Sequence, residues 1–197
     1  MEANDYMGIM GNIGTMKTIN VNPDVNIKFT VGYDSSFSKV SEERFDNDCT
    51  KICVGENYSE INMDTYANII IPTRATKGSA GYDFHMPYDL ELKPNVYYTI
   101  PTGIRAKFMK EVFLAIVPKS GLGFKYGMRL ANIIGIVDSD YYNSDNEGHI
   151  MIKFSVEKPL TLHKGDKFCQ GIFILYGITS DDNADGIRNG GFGSTGN

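Results

Sequence analysis

Val112-Phe113-Leu114-Ala115-Ile116-Val117 runs straight into Pro118-Lys119-Ser120-Gly121, an apolar stretch that stops at a proline and passes at once to a cation, a hydroxyl and a glycine. A short apolar run bounded by turn formers suits a strand buried on both faces, whereas a buried helix needs about ten residues or more. Proline closes the run because it has no N–H for the ladder. Gly-Leu-Gly-Phe-Lys-Tyr-Gly, from Gly121 to Gly127, then holds one short helical turn after the strand. Outward from this point the pattern repeats. Ile69–Ile71, Tyr97–Ile100 and Ile104–Phe108 precede it, and Ile133–Val137, Ile150–Val156 and Phe168–Tyr176 follow, each punctuated by Gly, Pro, Asn or Asp. Short strands with turn signals about every ten residues predict an all-β sandwich, jelly roll or barrel.

Toward the N-terminus the signal changes. Residues 1–18 are rich in Met, Gly and Asn without a period and are expected to be a mobile arm. Ile19, Val21, Val25, Ile27, Phe29 and Val31 alternate with other residues, which predicts one or two half-buried strands over Thr18–Tyr33. Charge rises in Ser41-Glu42-Glu43-Arg44 and again from Glu56 to Asp64, so 34–68 is expected to be an insertion with one short helix. The predicted organisation is an arm (1–18), one β domain (19–187, with the insertion at 34–68) and a flexible C-terminal lid (188–197).

With 197 residues the chain has room for one domain and extensions, not for two large domains. Its 42% apolar and 12% aromatic content excludes a mostly disordered or collagen-like chain. A net charge of −5 gives no basic surface, so the expected partner is a small ligand and not a nucleic-acid polymer. No apolar run reaches the ~20 residues that span a bilayer, and Met1-Glu2-Ala3-Asn4-Asp5 lacks the parts of a signal peptide. No membrane is therefore expected, and the expected compartment is the cytoplasm. Cys49, Cys53 and Cys169 are sparse, odd in number and without a zinc spacing, which reads as reduced thiols.

The last ten residues, Arg188-Asn189-Gly190-Gly191-Phe192-Gly193-Ser194-Thr195-Gly196-Asn197, cannot make a packed strand, because their ordering entropy is high and their burial small. Backbone N–H groups freed by glycine, two hydroxyls and a guanidinium suit phosphate oxygens, and Phe192 offers a face to a base. Four more polar, glycine-bearing islands sit at predicted strand ends: Ser79-Ala80-Gly81-Tyr82-Asp83, Pro118-Lys119-Ser120-Gly121, Asn132 through Tyr141, and Gly165-Asp166-Lys167-Phe168-Cys169-Gln170. Each alone is an ordinary turn sequence.

Together, in order and type, the five islands resemble the five motifs of the trimeric dUTP pyrophosphatase (dUTPase) family, over Pro72 to Gly196. The resemblance implies a β jelly roll, a homotrimer with sites shared between chains, Mg²⁺ as cofactor, and hydrolysis of dUTP to dUMP and pyrophosphate. It makes Asp138 the general base for the water that attacks the α-phosphorus. Lys119, Ser120, Gly121 and Gln170 become the phosphate side of the site, and Asp83 lies near the Mg²⁺, through water. Asn132 faces the uracil edge, with the hairpin backbone at Gly135 and Val137 completing base readout. Tyr141 packs on the deoxyribose and leaves no room for a 2′-hydroxyl. In the tail, Arg188 reaches the γ-phosphate, Phe192 covers the uracil, and Gly193, Ser194 and Thr195 close off the phosphates.

Two departures from the family pattern stand out. Lys119 and Lys167 occupy positions where arginine is usual, and lysine supplies a point charge without the bidentate fork. Tyr142-Asn143-Ser144-Asp145-Asn146-Glu147 also lengthens the hairpin before Gly148, with Asp145 and Glu147 read as solvated turn residues. Two rivals remain. A dCTP deaminase shares the fold, but its glutamate position, counted from Gly148, holds Lys153. A catalytically weak or inactive nucleotide-binding protein would use 34–68 and the long hairpin as docking surfaces.

Overall fold

The structure is a computed structural model and describes residues 17–22, 25–29, 35–52, 64–188 and 190. The elements in chain order are β1 (Lys17–Asn22), β2 (Val25–Phe29), β3 (Ser36–Lys39), α1 (Glu42–Ile52), α2 (Asp64–Ala67), β4 (Thr73–Arg74), β5 (Tyr82–His85), β6 (Leu90–Leu92), β7 (Tyr98–Pro101), β8 (Ile104–Lys107), β9 (Val112–Pro118), α3 (Ser120–Tyr126), β10 (Arg129–Leu130), β11 (Gly135–Val137), a 3₁₀ turn (Ser139–Asn143), β12 (Met151–Ser155), β13 (Leu160–Leu162) and β14 (Lys167–Leu175). Short antiparallel strands dominate, as the punctuation of the sequence predicts.

The chain separates into two compact units, Met1–Ser35 and Ser36–Asn197. In the first, β1 and β2 pair with each other as an antiparallel hairpin, Ile19 opposite Ile27. The β domain expected over 19–187 therefore begins later, at Ser36, because the first two strands satisfy each other's backbone groups.

In the second unit a five-stranded sheet runs β11-β9-β14-β5-β4 and a three-stranded sheet β10-β12-β7, with two-stranded pairs β13-β6 and β3-β8. β9 lies between β11 and β14, and Leu114, Ala115 and Ile116 are buried in succession, as a strand covered on both faces must be. The two larger sheets meet where the fully buried Phe154 of β12 approaches Phe168 of β14, ring centroids 5.9 Å apart. Burying each such ring contributes about 1.5–3 kcal/mol.

Of the segment 34–68, expected as an insertion, the described parts, 35–52 and 64–68, contribute to this core. β3 pairs with β8, Phe37 opposite Ala106, and the Phe37 ring lies 5.7 Å from Phe84 and 5.4 Å from Phe173. α1 starts where Ser41 Oγ accepts the Arg44 N–H at 3.1 Å, and Glu42 and Glu43 stand in its first turn, where a helix favours negative charge. Phe45 and Cys49, four residues apart on one face, are both buried. Among its described residues Val40, Phe45 and Cys49 are buried, and Phe37 and Tyr66 pack against the core.

Ile69–Ile71, expected as a strand, is irregular. Ile69 is buried, Ile70 is exposed and Pro72 has no N–H, so pairing begins only at β4, Thr73–Arg74. The short turn expected over Gly121–Gly127 is α3, closed by Gly127 at φ +65°, whose N–H donates to the Gly123 carbonyl at 3.1 Å while the Met128 N–H donates to the Leu122 carbonyl at 3.3 Å. Cys49 and Cys169 are buried thiols outside any disulfide, and Cys53 lies outside the described residues. Among the described residues no helix is long and apolar enough to cross a membrane.

Candidate active site

β14 brings three of the polar islands together because it pairs with β5 on one side and β9 on the other. Gln170 stands opposite Asp83 and opposite Val117, so the first, second and fourth islands sit side by side. The approach is close: a Cβ on Gly81 would lie 2.4 Å from Gln170 Oε1, so a side chain there would have to displace the Gln170 amide. Lys119 ends β9 and precedes α3, held by its N–H to the Phe168 carbonyl at 2.9 Å, and places Ser120 and Gly121 in the first turn of α3.

The buried Asp83 carboxylate takes Lys167 Nζ at 2.7 Å on one oxygen and Lys119 Nζ at 3.2 Å on the other. Burial alone would push its pKa up, but the hydrogen bonds and charges of Lys167 and Lys119 hold it below the usual carboxylate value. The same two lysines help lower His85, whose main perturbation is burial. A cavity of about 540 Å³ opens beside this cluster, lined by Lys119, Gly121, Lys125, Gly165, Asp166 and Lys167 among others.

The third island forms the other end. β11 pairs with β9, Gly135 opposite Ile116 and Val137 opposite Leu114. Asn132, Gly135 and Val137 line a cavity of about 280 Å³ together with Ile116, Ile150 and Lys153. This lies near the lower end of the roughly 300–1,000 Å³ typical of small-ligand sites, and the walls are mostly apolar, with an amide at one side.

Asp138 follows Val137 directly and caps the 3₁₀ turn, its carbonyl accepting the Tyr141 N–H at 3.2 Å. Its carboxylate is half exposed and pairs with Arg188 Nη2, while Arg188 Nε donates to Asp140 Oδ1 at 2.8 Å. Arg188 also sits over the Tyr141 ring, 5.8 Å from the centroid. The structure thus joins Asp138, Tyr141 and Arg188. Lys119, Ser120, Gly121 and Gln170 group with Asp83 at the other end. Phe192, Gly193, Ser194 and Thr195 lie outside the described residues.

Tyr141 is buried, and its hydroxyl donates to the His149 carbonyl at 2.8 Å and accepts from Asn146 Nδ2 at 2.7 Å. The lengthened hairpin folds back on itself through Gly148 at φ +69°, where a Cβ would stand 2.8 Å from the Tyr141 carbonyl oxygen. Glu147, read from sequence as a solvated turn residue, instead accepts from Ser41 N at 2.8 Å and Ser41 Oγ at 2.6 Å, which lowers its pKa. Asp48, Asp140, Asn146 and His149 were not singled out in the sequence. Asn146 and His149, which flank Glu147-Gly148, could have been suspected from a glycine in a turn. Asp48 carries no such local signal.

The dUTPase family model matches residues 67–196. The chain belongs to the dUTPase family. It is 36% identical over 135 residues to the deoxyuridine 5'-triphosphate nucleotidohydrolase of Lactococcus lactis subsp. lactis, covering 66% of this chain and 90% of that protein. The Escherichia coli O9:H4 enzyme of the same name is 34% identical over 136 residues, covering 64% and 87%. Among solved structures, the Streptococcus mutans dUTPase superposes with a TM-score of 0.54 at 23% identity, covering 74% of this chain and 98% of that one. A Staphylococcus bacteriophage 80alpha dUTPase with dUpNHpp gives 0.55 at 12% identity, covering 80% and 99%. These two structures support the fold, an all-β dUTPase-like jelly roll.

For a dUTPase-family chain the fit of Mg²⁺ to these residues is a direct question. Among the described residues no three His, Cys, Asp or Glu side chains converge on a metal position. Asp83 has both carboxylate oxygens on lysines, so direct ligation would have to displace one of them. The donor set fits an ion carried by substrate phosphates that meets Asp83 through water, and does not fit a protein-held cage.

Proposed function

We propose that this chain hydrolyses dUTP to dUMP and pyrophosphate by attack of water on the α-phosphorus. What carries this reading is the continuity of β11. Gly135 and Val137 wall the apolar cavity, and the next residue, Asp138, presents a half-exposed carboxylate at its end. Uracil enters that cavity with its edge toward the Asn132 amide, which offers both a donor and an acceptor, and toward the backbone at Gly135 and Val137. The deoxyribose lies against Tyr141. In a homotrimer with shared sites the triphosphate extends toward Gln170, Ser120, Gly121 and Lys119 of a neighbouring copy.

Asp138 orients the water and takes its proton, a role worth about 10²–10⁴-fold. Mg²⁺ on the triphosphate supplies charge neutralisation and alignment. For Asp138 Oδ2 to take the proton of water, Arg188 must leave it, and the γ-phosphate is the natural exchange partner for a guanidinium. In a homotrimer with shared sites the tail carries Arg188 to a neighbouring copy, with Phe192 over the base and Gly193, Ser194 and Thr195 around the phosphates. The tail then acts as a lid that keeps bulk water out. The arrangement by role is an arm over 1–18, a catalytic β domain and a lid over 188–197.

The test is pyrophosphate release with Mg²⁺ from dUTP, dCTP, dTTP and UTP in parallel, with ammonia followed on dCTP. Pyrophosphate from dUTP alone is expected. Ammonia from dCTP would instead support the deaminase, and silence on every nucleotide would support a non-enzymatic binding protein.

A further inference from the structure

The family match begins at residue 67, so α1 lies outside it, yet α1 is bonded to His149, whose carbonyl accepts the Tyr141 hydroxyl. Resting on the reading of Tyr141 as the wall against the sugar, we infer that Asp48 is a positioning residue for discrimination of the sugar, acting through His149 on Tyr141.

The connection runs through a completely buried imidazole. His149 Nε2 accepts the Gly103 N–H at 2.8 Å, so the ring proton sits on Nδ1, where Asp48 Oδ2 receives it at 2.8 Å. Both ring nitrogens are thereby committed and the ring can neither flip nor tilt. The carbonyl of the same residue takes the Tyr141 hydroxyl at 2.8 Å, and Asn146 Nδ2 closes on that hydroxyl from the other side at 2.7 Å. The Tyr141 ring is held at its far end, where a sugar in contact with its face would feel any displacement. Tyr141 is in turn bonded through its N–H to Asp138, so ring and base share one turn.

A second set of contacts keeps Asp48 in register. Ser41 at the start of α1 bonds Glu147 through both N and Oγ, and Arg44 Nη2 donates to the Asp145 carbonyl at 3.2 Å. Arg44 also pairs with Asp48 at 3.4 Å. Arg105, from β8, donates to the Tyr142 carbonyl at 2.6 Å and lies over the Tyr142 ring at 3.7 Å. Hairpin and helix are therefore clamped at several points, with Asp48–His149 the buried one. A buried carboxylate is a costly way to pack a helix, since desolvation takes several kcal/mol that an apolar residue would not. Its distinct contribution is direction: it accepts from one nitrogen of one ring.

The test uses the full chain. Binding of dUMP and UMP is measured by titration calorimetry, and kcat and KM are measured for dUTP and UTP. Asp48→Asn keeps an acceptor for the Nδ1–H and should hold the dUMP-to-UMP preference within about twofold of wild type. Asp48→Ala removes the acceptor and should lower that preference by about tenfold or more, through KM for dUTP and not kcat, because small displacements remote from the chemistry are felt at the substrate. If Asp48→Ala does not fold, the exposed Ser41→Ala, Glu147→Ala double variant decides by the same ratio, a fall supporting the assignment. An unchanged ratio in the folded variants, with only the melting temperature lowered, overturns it and leaves Asp48 a stability residue. A wild-type chain that neither binds dUMP nor hydrolyses dUTP removes the premise, and that result is read before any variant is made.

Discussion

Replacing Asp83 by asparagine tests whether the phosphate end of the site is held together by charge. The Asp83 side chain is 5% exposed, and its partners Lys167 and Lys119, at 2.7 and 3.2 Å, are 42% and 38% exposed. At an effective dielectric of about 20 the two attractions come to roughly 6 and 5 kcal/mol gross. Desolvation of a buried carboxylate, several kcal/mol, offsets most of this, and the half-exposed ammonium groups are further screened by solvent and salt. The variant also leaves two ammonium groups facing one neutral amide. A net loss of about 2 kcal/mol at pH 7 follows, below the ~3–5 kcal/mol of a fully enclosed pair. The pH dependence has a definite sign. Lys167 and Lys119 overcome the effect of burial and hold the folded-state pKa of Asp83 below its unfolded value. The contribution is then complete above the unfolded pKa, about 3.9, and is lost as pH falls through the folded one. Urea unfolding followed by circular dichroism should show a gap between wild type and Asp83→Asn that is flat from about pH 5 to about pH 8 and narrows below about pH 4. A gap under about 0.5 kcal/mol at pH 7, the range of an ordinary surface substitution, would refute the electrostatic account. So would a gap that persists undiminished in acid.

Asp138→Asn should lower dUTP turnover by about 10²–10⁴-fold while dUMP binding, followed by calorimetry, is retained; near-normal turnover removes Asp138 from the role of base. A chain ending at residue 187 should keep its circular dichroism spectrum and melting temperature yet lose turnover, and normal pyrophosphate release from it would defeat the lid. Gly148→Ala puts a side chain at φ +69° and within 2.8 Å of two backbone atoms, so it should cost about 1–3 kcal/mol in thermal unfolding and lower kcat/KM for dUTP. An unchanged melting temperature would show that the hairpin can relax around it.

Some of this molecule is written locally in the chain and some is not. β9 was legible because a strand covered on both faces is apolar at every position, and α3 as a short turn following that strand, although its glycines weaken the helical signal. Asn132, Gly135, Val137 and Asp138 were legible as a motif because one hairpin carries them all. The role of 34–68 was not. Among the described side chains of α1, 42–50, only Phe45 and Cys49 are buried apolar anchors, and the helix's polar anchor, Asp48, finds its partner 101 residues away. Glu147 misread as a solvated turn residue is the same failure, its partner Ser41 lying 106 residues away. Lys119 was read on the phosphate side and both Lys119 and Lys167 as departures from arginine, but nothing in sequence places both on one carboxylate.

That shared carboxylate also changes what the lysines mean. A bidentate fork at either position would fix a phosphate by geometry, whereas two compact ammonium groups on Asp83 can each turn from carboxylate to phosphate with small movement of a flexible stem. The same logic governs the other end, where Arg188 lies on Asp138 and Asp140. On the proposed reading, each cation that meets the triphosphate is already paired with a carboxylate of the protein. Substrate binding then exchanges one anionic partner for another and leaves no cation stripped. Asp138 is the carboxylate for which this exchange matters chemically. While Arg188 occupies it, the paired oxygen, Asp138 Oδ2, is not available to take a proton from water. When Arg188 moves to phosphate at a neighbouring copy, that oxygen turns to the water beside the cavity walled by Gly135 and Val137, so that the base is uncovered as the tail leaves to close another site.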